Sequence, residues 1–136
     1  MASEEERQQA KAARRRSGAI GRRGEDLACA WLQREGYVIL ERNWHCPYGE
    51  LDIIAERVGV VIGVEVKTRS SAAAGAPEEA VTLRKQRKLI LTLQTYLMEQ
   101  GDEQRPYQLD VIAVRLTPGG AHLETRHYAA AIALEE

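Results

Sequence analysis

Apolar side chains recur along the chain with two different periods, and the two periods predict two kinds of secondary structure. Helical spacing over residues 19–35, followed by Gly36 as a stop, predicts a first helix. A second helix is predicted over residues 77–101, with Pro77 at its first position. Alternating or β-branched runs predict five strands, over residues 37–43, 50–57, 60–67, 107–115 and 121–127.

The order of these elements, α-β-β-β-α-β-β, predicts an α/β fold with a central mixed five-stranded sheet flanked by helices. We find no internal repeat and no domain boundary, so residues 18–136 are expected to form a single domain. Residues 1–17 are expected to be a flexible basic arm, or a frayed helix. A small-residue loop is predicted over residues 70–76 and a short helix over 128–136.

Composition narrows the class of protein. With 136 residues, 44% of them hydrophobic and 29% charged, the chain is expected to fold as one ordinary globular unit. No apolar run is long enough for a membrane span, and the polar N-terminal segment does not resemble a secretory signal. Two cysteines are too few for a disulfide framework, so we expect a reduced, cytoplasmic protein.

The formal charge of −1 hides an uneven distribution. Residues 1–24 hold seven basic side chains against three acidic ones, and residues 82–92 hold four basic side chains and no acid. Those four are Arg84, Lys85, Arg87 and Lys88. Such clusters beside an acidic remainder indicate a surface for the phosphate backbone of DNA. The alternative is a solvated tail and a solvated helix face.

One group of charged residues predicts chemistry. Alternation along the third strand places Glu65 and Lys67 on the face opposite the apolar stripe that contains Val64. On the second strand, Leu51, Ile53 and Ala55 are expected to share the face opposite Asp52. A tight turn around Gly59 makes the two strands antiparallel, which brings Asp52 beside Glu65.

Two neighbouring carboxylates repel each other, so a cation or a proton is needed between them. Carboxylate oxygens suit Mg²⁺ or Mn²⁺, and a bound divalent ion promotes phosphodiester hydrolysis. Lys67 would then orient the attacking water or stabilise charge on the phosphate. The alternative is a surface salt-bridge cluster across two strands, which would contribute little to stability.

Five short motifs occur along the chain from residue 21 to residue 112. They are Gly21-Arg22-Arg23-Gly24-Glu25-Asp26-Leu27-Ala28, Gly36-Tyr37, Gly49-Glu50-Leu51-Asp52, Val64-Glu65-Val66-Lys67-Thr68-Arg69 and Leu109-Asp110-Val111-Ile112. Together they resemble the motifs of the PD-(D/E)xK nuclease superfamily and, more closely, those of the YraN-like family of uncharacterised bacterial proteins, which is similar in fold to archaeal Holliday-junction resolvases. The resemblance implies a restriction-endonuclease-like three-layer fold. It also implies that Asp52 and Glu65 are metal ligands, that Lys67 is the catalytic lysine and that Glu25 is an additional acid facing the same site.

Further residues are candidates for supporting roles. Glu50, two residues before Asp52, would ligate or support the metal, although a solvent-exposed role fits it equally well. Arg69 continues the face of Lys67 and would hold a flanking phosphate, as would the basic residues of the second helix. Lys85 and Gln86 would reach the site from that helix, although a solvated helix face fits each of them better. Gly63 departs from the family pattern and is expected to loosen packing near the site.

Three functions remain open from the sequence. The first is a metal-dependent endonuclease that hydrolyses DNA phosphodiester bonds, for example in branched or repair intermediates. The second is a non-catalytic nucleic-acid-binding module on a nuclease fold, and the third is a cytoplasmic scaffold or regulatory protein. A homodimer is compatible with related folds, but no interface is indicated by the sequence.

Overall fold

A computed structural model of the chain describes residues 3–70 and 81–134, with only the backbone described for residues 9–17. The described residues form two helices and five strands, in the predicted order, so the predicted fold class is confirmed. The elements are α1 (Glu4–Arg34), β1 (Val38–Cys46), β2 (Gly49–Arg57), β3 (Val60–Arg69), α2 (Leu83–Glu99), β4 (Tyr107–Leu116) and β5 (His122–Tyr128). Neither helix in these ranges is long and apolar enough to cross a membrane.

The five strands form one mixed sheet in the spatial order β1-β2-β3-β4-β5. The pairs β1–β2, β2–β3 and β4–β5 are antiparallel, whereas β3 and β4 run parallel, from Val61 opposite Tyr107 to Arg69 opposite Arg115. Parallel neighbours need a crossover, and α2 lies in the connection between them.

The sheet buries a separate apolar cluster on each face. On one face, α1 packs through Ala28 and Leu32 against a cluster that includes Val64 and Ile112. On the other face, α2 packs through Leu89 and Leu93 against a cluster that includes Leu109. The result is a sheet flanked by helices, as the order of elements predicted, in the three layers that the resemblance implied.

Helix α1 begins earlier than the apolar periodicity predicted. Its first residue is Glu4, and the side chain of Ser3 accepts a hydrogen bond from the Glu6 amide at 3.1 Å. Such an N-cap, followed by three acids in the first turn, stabilises a helix start without any apolar face. Residues 1–17 were expected to be either a flexible basic arm or a frayed helix. The backbone of residues 4–17 is helical, which matches the second expectation. The flexibility of this arm stays a prediction.

Helix α2 begins later than predicted, at Leu83. Thr82 is extended, with φ −69° and ψ 161°, and its hydroxyl accepts a hydrogen bond from the Lys85 amide at 3.1 Å. The predicted continuous helix from Pro77 is wrong at this point, because a threonine N-cap fixes the start. The predicted loop over residues 70–76, apart from residue 70, and Pro77 itself lie outside the described residues.

The predicted helix over residues 128–136 is also wrong within the part of it that the structure describes. Tyr128 ends β5, and residues 129–134 form a turn, a bend and irregular backbone. The Ala130 amide donates a hydrogen bond to Oδ1 of Asp110 at 2.8 Å, and the Ile132 amide donates one to the Leu109 carbonyl at 3.4 Å. These bonds to β4 replace the ones that a helix would make.

Gly63 does not loosen the packing, contrary to the expectation from sequence. A Cβ atom at this position would lie 2.8 Å from Leu109 Cδ2 and 3.1 Å from Leu51 Cδ1. The two leucine side chains therefore fill the space that a larger residue would occupy, and glycine is the residue that fits.

Candidate functional site

The antiparallel pair β2–β3 stops pairing where the candidate acids begin. The ladder runs from Arg57 opposite Val60 to Ile53 opposite Val64, so the next facing positions are Asp52 and Glu65. There the Val66 amide donates a hydrogen bond to the Asp52 Oδ2 atom, at 2.7 Å. A carboxylate thus takes the place of a backbone acceptor, and the two strands part around it.

The regular alternation of β2 is interrupted at the same residue. Ile53 belongs to the cluster under α1, whereas Leu51 belongs to the cluster under α2. The expectation that Leu51, Ile53 and Ala55 share one face is therefore wrong for Leu51. On β1, Asn43 lies opposite Asp52, between the pairs that Ile53 and Leu51 make, and has a φ of 52°. A residue in the left-handed region bends its strand, and asparagine tolerates that region better than most residues.

Glu65 is nearly buried, with 5% of its surface exposed, and it contacts two lysines. Its Oε1 atom lies 3.3 Å from Lys67 Nζ and 3.5 Å from Lys85 Nζ. Lys67 comes from the same strand, and Lys85 reaches across from the first turn of α2. The predicted proximity of Glu65 and Lys67 is present, and α2 adds a second cation.

Asp52 lies in a surrounding that opposes its negative charge. Burial is the main cause, and the charge of Glu65 is the next, so that the pKa of Asp52 rises from 3.8 to about 7. Glu25 and Glu50 raise this pKa further through their charges, while the hydrogen bond from the Val66 amide lowers it. A nearby cation would favour the ionised form of this carboxyl group.

A cleft of about 490 Å³ opens between α1 and the end of β3. Glu25, Lys67 and Arg69 are among the residues that line it. Oε2 of Glu25 lies 3.7 Å from Nη2 of Arg42, an arginine on β1. Glu25 thus shares a cleft with Lys67, and it acts on Asp52 through its charge.

Close packing brings α1 to this cleft. A Cβ atom on Gly24 would lie 2.9 Å from the Cβ atom of Thr68 and closer still to its hydroxyl, so only glycine allows the present distance between helix and strand. Because Glu25 follows Gly24 directly, this contact fixes where Glu25 lies.

The remaining predicted residues surround this centre. Glu50 is exposed at the start of β2, opposite His45 of β1. Arg69 is half-buried, and its Nη1 atom donates to the Thr68 carbonyl at 3.2 Å. Three of the four predicted basic residues on α2 are exposed, namely Arg84, Arg87 and Lys88.

The carboxylates fit a divalent ion in kind, although they do not form a complete set of ligands. Asp52 and Glu65 supply the hard oxygen atoms that Mg²⁺ and Mn²⁺ prefer, and their mutual repulsion would be relieved by a cation. Within residues 3–70 and 81–134, no three acidic, histidine or cysteine side chains are grouped closely enough to hold an ion. Water and phosphate would therefore supply the other ligands, as is usual for Mg²⁺. The metal site stays a prediction.

Comparison with known proteins places the chain in a family. Residues 24–114 match the family described as "Uncharacterised protein family UPF0102". The chain belongs to the UPF0102 family. The match includes Asp52, Glu65 and Lys67, and it confirms the resemblance to an uncharacterised bacterial family that the motifs indicated.

Curated UPF0102 relatives cover most of the chain. It is 46% identical over 107 residues to a UPF0102 protein of Beutenbergia cavernae, and the aligned region covers 79% of this chain and 91% of that protein. It is 42% identical over 111 residues to a UPF0102 protein of Desulforamulus reducens, and the aligned region covers 80% of this chain and 91% of that protein. A third, from Syntrophotalea carbinolica, is 44% identical over 110 residues.

A second polar cluster of this UPF0102 chain was not predicted. Asp110 is completely buried, and its Oδ2 atom lies 2.7 Å from Nε2 of His127. Its Oδ1 atom accepts from the Gln108 side chain at 2.9 Å and from the Ala130 amide. Trp31 of α1 donates its indole hydrogen to Nδ1 of His127 at 3.3 Å. Since an indole can only donate, this arrangement assigns the imidazole hydrogen to Nε2, which donates to Asp110.

The sequence indicated the acidic residues of the two polar clusters better than it indicated the residues that contact them. An acid between Leu109 and Val111, in an apolar run, was a signal that Asp110 is buried and needs donors. The sequence left Lys85 open between reaching the site and lying on a solvated helix face, and it favoured the solvated face. The left-handed bend at Asn43 had only a weak signal, namely an asparagine inside a predicted strand.

Proposed function

We propose that this UPF0102 protein is a divalent-metal-dependent endonuclease that hydrolyses phosphodiester bonds in DNA. The observation that supports this proposal best is the meeting of Asp52, Glu65 and Lys67 at the point where β2 and β3 separate. Two acids and a lysine beside a cleft are the groups that phosphodiester hydrolysis requires.

Asp52 and Glu65 would hold the metal, with Glu25 and Glu50 adding negative charge nearby. A bound Mg²⁺ or Mn²⁺ stabilises charge on the scissile phosphate and makes hydroxide available near neutral pH. The hydrogen bond from the Val66 amide fixes one oxygen of Asp52 and leaves the other oxygen for a ligand.

The remaining charged side chains of the site bind and orient the substrate. Lys67 contacts Glu65 and lines the cleft, where it would orient the attacking water or stabilise the developing charge. Arg69, which lines the same cleft, would hold a neighbouring phosphate. Arg84, Arg87 and Lys88 are exposed on α2, where they would contact the DNA backbone.

The test is cleavage of labelled single-stranded, duplex, flap and four-way-junction DNA by the purified protein with Mn²⁺. We expect cleavage that EDTA abolishes and that Asp52→Asn lowers by about 100-fold or more. Asp102→Asn is the matched control, because Asp102 is an exposed acid that pairs with Arg105 away from the cleft. Absence of metal-dependent cleavage on every substrate, at concentrations where DNA is bound, would remove the enzymatic proposal.

One observation favours a second candidate, a nucleic-acid-binding module without catalysis. Glu65 already contacts two ammonium groups, so its charge is balanced with no metal present. This candidate predicts DNA binding that weakens steeply with salt and is unaffected by Asp52→Ala. Titration of DNA at several salt concentrations, with and without Mn²⁺, separates the two functions.

A further inference from the structure

Two lysines share one oxygen atom of a single, nearly buried carboxylate. Nζ of Lys67 and Nζ of Lys85 lie 3.3 Å and 3.5 Å from the same atom, Oε1 of Glu65. One ammonium group is enough to balance one carboxylate, so the second contact needs its own explanation. A position beside Glu65 that attracts one cation is also a position that a metal ion would compete for.

The two lysines differ in how firmly the fold holds them. Lys67 is part of the β3–β4 ladder, opposite Ala113, and its side chain is 19% exposed. Lys85 comes from the first turn of α2, and its side chain is 43% exposed. A long side chain with that exposure can leave Glu65 and turn into solvent without any change in the sheet.

The surroundings of Lys85 provide a second place for its ammonium group. Arg84, Arg87 and Lys88 are exposed on the same helix, and residues 82–92 contain no acid. A phosphate backbone drawn to this helix would lie beside Lys85, at a distance that its side chain can reach.

We propose that Lys85 is the counter-ion of Glu65 in the metal-free protein and gives up this position when a divalent ion binds. The released ammonium group then holds a phosphate of the DNA. The inference rests on the proposed function, since it takes the metal to bind at Asp52 and Glu65. It assigns Lys85 a positioning role that links metal binding to DNA binding.

The first measurement is Mn²⁺ affinity without DNA, from the electron paramagnetic resonance signal of the free ion. Removal of the competing charge in Lys85→Gln should tighten Mn²⁺ binding by about three- to tenfold. Lys88→Gln is the matched control, because it removes the same charge from an exposed position one turn along the helix. The affinity of this control for Mn²⁺ should stay within about twofold of the unmodified protein.

The second measurement is DNA affinity, with Ca²⁺ as the metal in one series and EDTA in the other. We expect Lys85→Gln to weaken DNA binding about threefold or more in Ca²⁺ and to have little effect in EDTA. Lys88→Gln should weaken binding equally in both series, because its contact does not depend on the metal.

The outcomes separate this inference from the proposed function. Unchanged Mn²⁺ affinity in Lys85→Gln, or an equal loss of DNA binding with and without metal, overturns the role of Lys85 and leaves the nuclease proposal intact. Tighter Mn²⁺ binding in Lys85→Gln without cleavage of any DNA supports the role of Lys85 and overturns the nuclease. A protein that binds no Mn²⁺ overturns both.

Discussion

The sheet holds one fully buried and one partly buried aspartate, Asp110 and Asp52, and their surroundings are opposite in kind. Asp110 on β4 accepts hydrogen bonds from a side-chain amide, a backbone amide and an imidazole. Asp52 on β2 accepts one from the Val66 amide. The neighbouring charge that affects the pKa of Asp52 most is that of another carboxylate, Glu65. The fold thus supplies Asp110 with hydrogen-bond donors, whereas burial and a neighbouring carboxylate disfavour the ionised form of Asp52.

Under the proposed function, this difference separates an acid that serves structure from an acid that serves chemistry. A buried carboxylate with three donors stabilises the elements that supply them, here β4, β5 and the chain after β5. A partly buried carboxylate beside like charges costs stability, and such arrangements are common where an ion or a reaction needs them. The comparison can be tested by removing each acid in turn.

The largest effect is expected from Asp110→Ala. Loss of this fully buried carboxylate leaves three hydrogen-bond donors without their partner, so the free energy of unfolding should fall by about 3 kcal/mol. Asp52→Ala, by contrast, removes a repelled charge and should cost far less. Urea unfolding of both variants at pH 7 measures the contrast. Equal losses in the two variants would show that the surroundings of the two acids do not differ as described.

The second prediction concerns the pH dependence of stability. The pKa of Asp52 rises from 3.8 to about 7 on folding, so between these values the folded protein keeps a proton that the unfolded chain has lost. Stability from this group is therefore lost as the pH rises through that range. Asp52→Asn cannot titrate, so it should be more stable than the unmodified protein by about 2–3 kcal/mol at pH 8 and nearly equal to it at pH 3.

The measurement is the difference in unfolding free energy between Asp52→Asn and the unmodified protein from pH 3 to pH 9. Asp102→Asn, an exposed control, should show no such trend. A difference that is flat across this range would mean that Asp52 ionises normally in the folded state. Under the proposed function, Mn²⁺ at pH 8 should narrow the difference, because only the unmodified protein retains both carboxylates.

Hydropathy patterning predicted the order of elements because each element buries an apolar stripe. The run from Val60 to Val66 is an example, since its alternation fixed which face of β3 carries Glu65 and Lys67. The same rule failed at Leu51, which lies on the other face, beyond the point where the regular ladder between β2 and β3 ends. Alternation describes a regular ladder, and the candidate site lies where the ladder ends.

Hydropathy patterns do not predict contacts between residues that are far apart in the sequence. The sequence placed Asp52, Glu65 and Lys67 in one region because a tight turn joins their strands. It did not decide whether Lys85 reaches the site or lies on a solvated helix face, because Lys85 contacts Glu65 from an element separated from β3 by a long connection. The helix bounds failed for a related reason, since Ser3 and Thr82 start their helices through single hydrogen bonds that leave no periodic signal.

A third prediction tests how the fold positions the cleft. Gly24→Ala places a methyl group against Thr68, so α1 must move away from β3, and we expect a loss of about 1–2 kcal/mol. Gly21→Ala is the matched control, because nothing lies within 4 Å of the added Cβ atom. Thr68→Ala combined with Gly24→Ala should recover part of the loss, and thermal unfolding of the four proteins measures it. A Gly24→Ala variant as stable as Gly21→Ala would contradict the close packing.

The smallest effect is expected at the outer end of the Asp110 cluster. Trp31→Phe keeps an aromatic ring in the cluster under α1 but removes the hydrogen bond to Nδ1 of His127, which should cost about 1 kcal/mol. In a background of Asp110→Asn, the same substitution should cost less, because His127 is then free to turn. A double-mutant cycle measures this coupling. If the losses in unfolding free energy were fully additive, Trp31 and Asp110 would not act through one imidazole. The description of the Asp110 surroundings would then rest on the hydrogen bonds from Gln108, His127 and Ala130 alone.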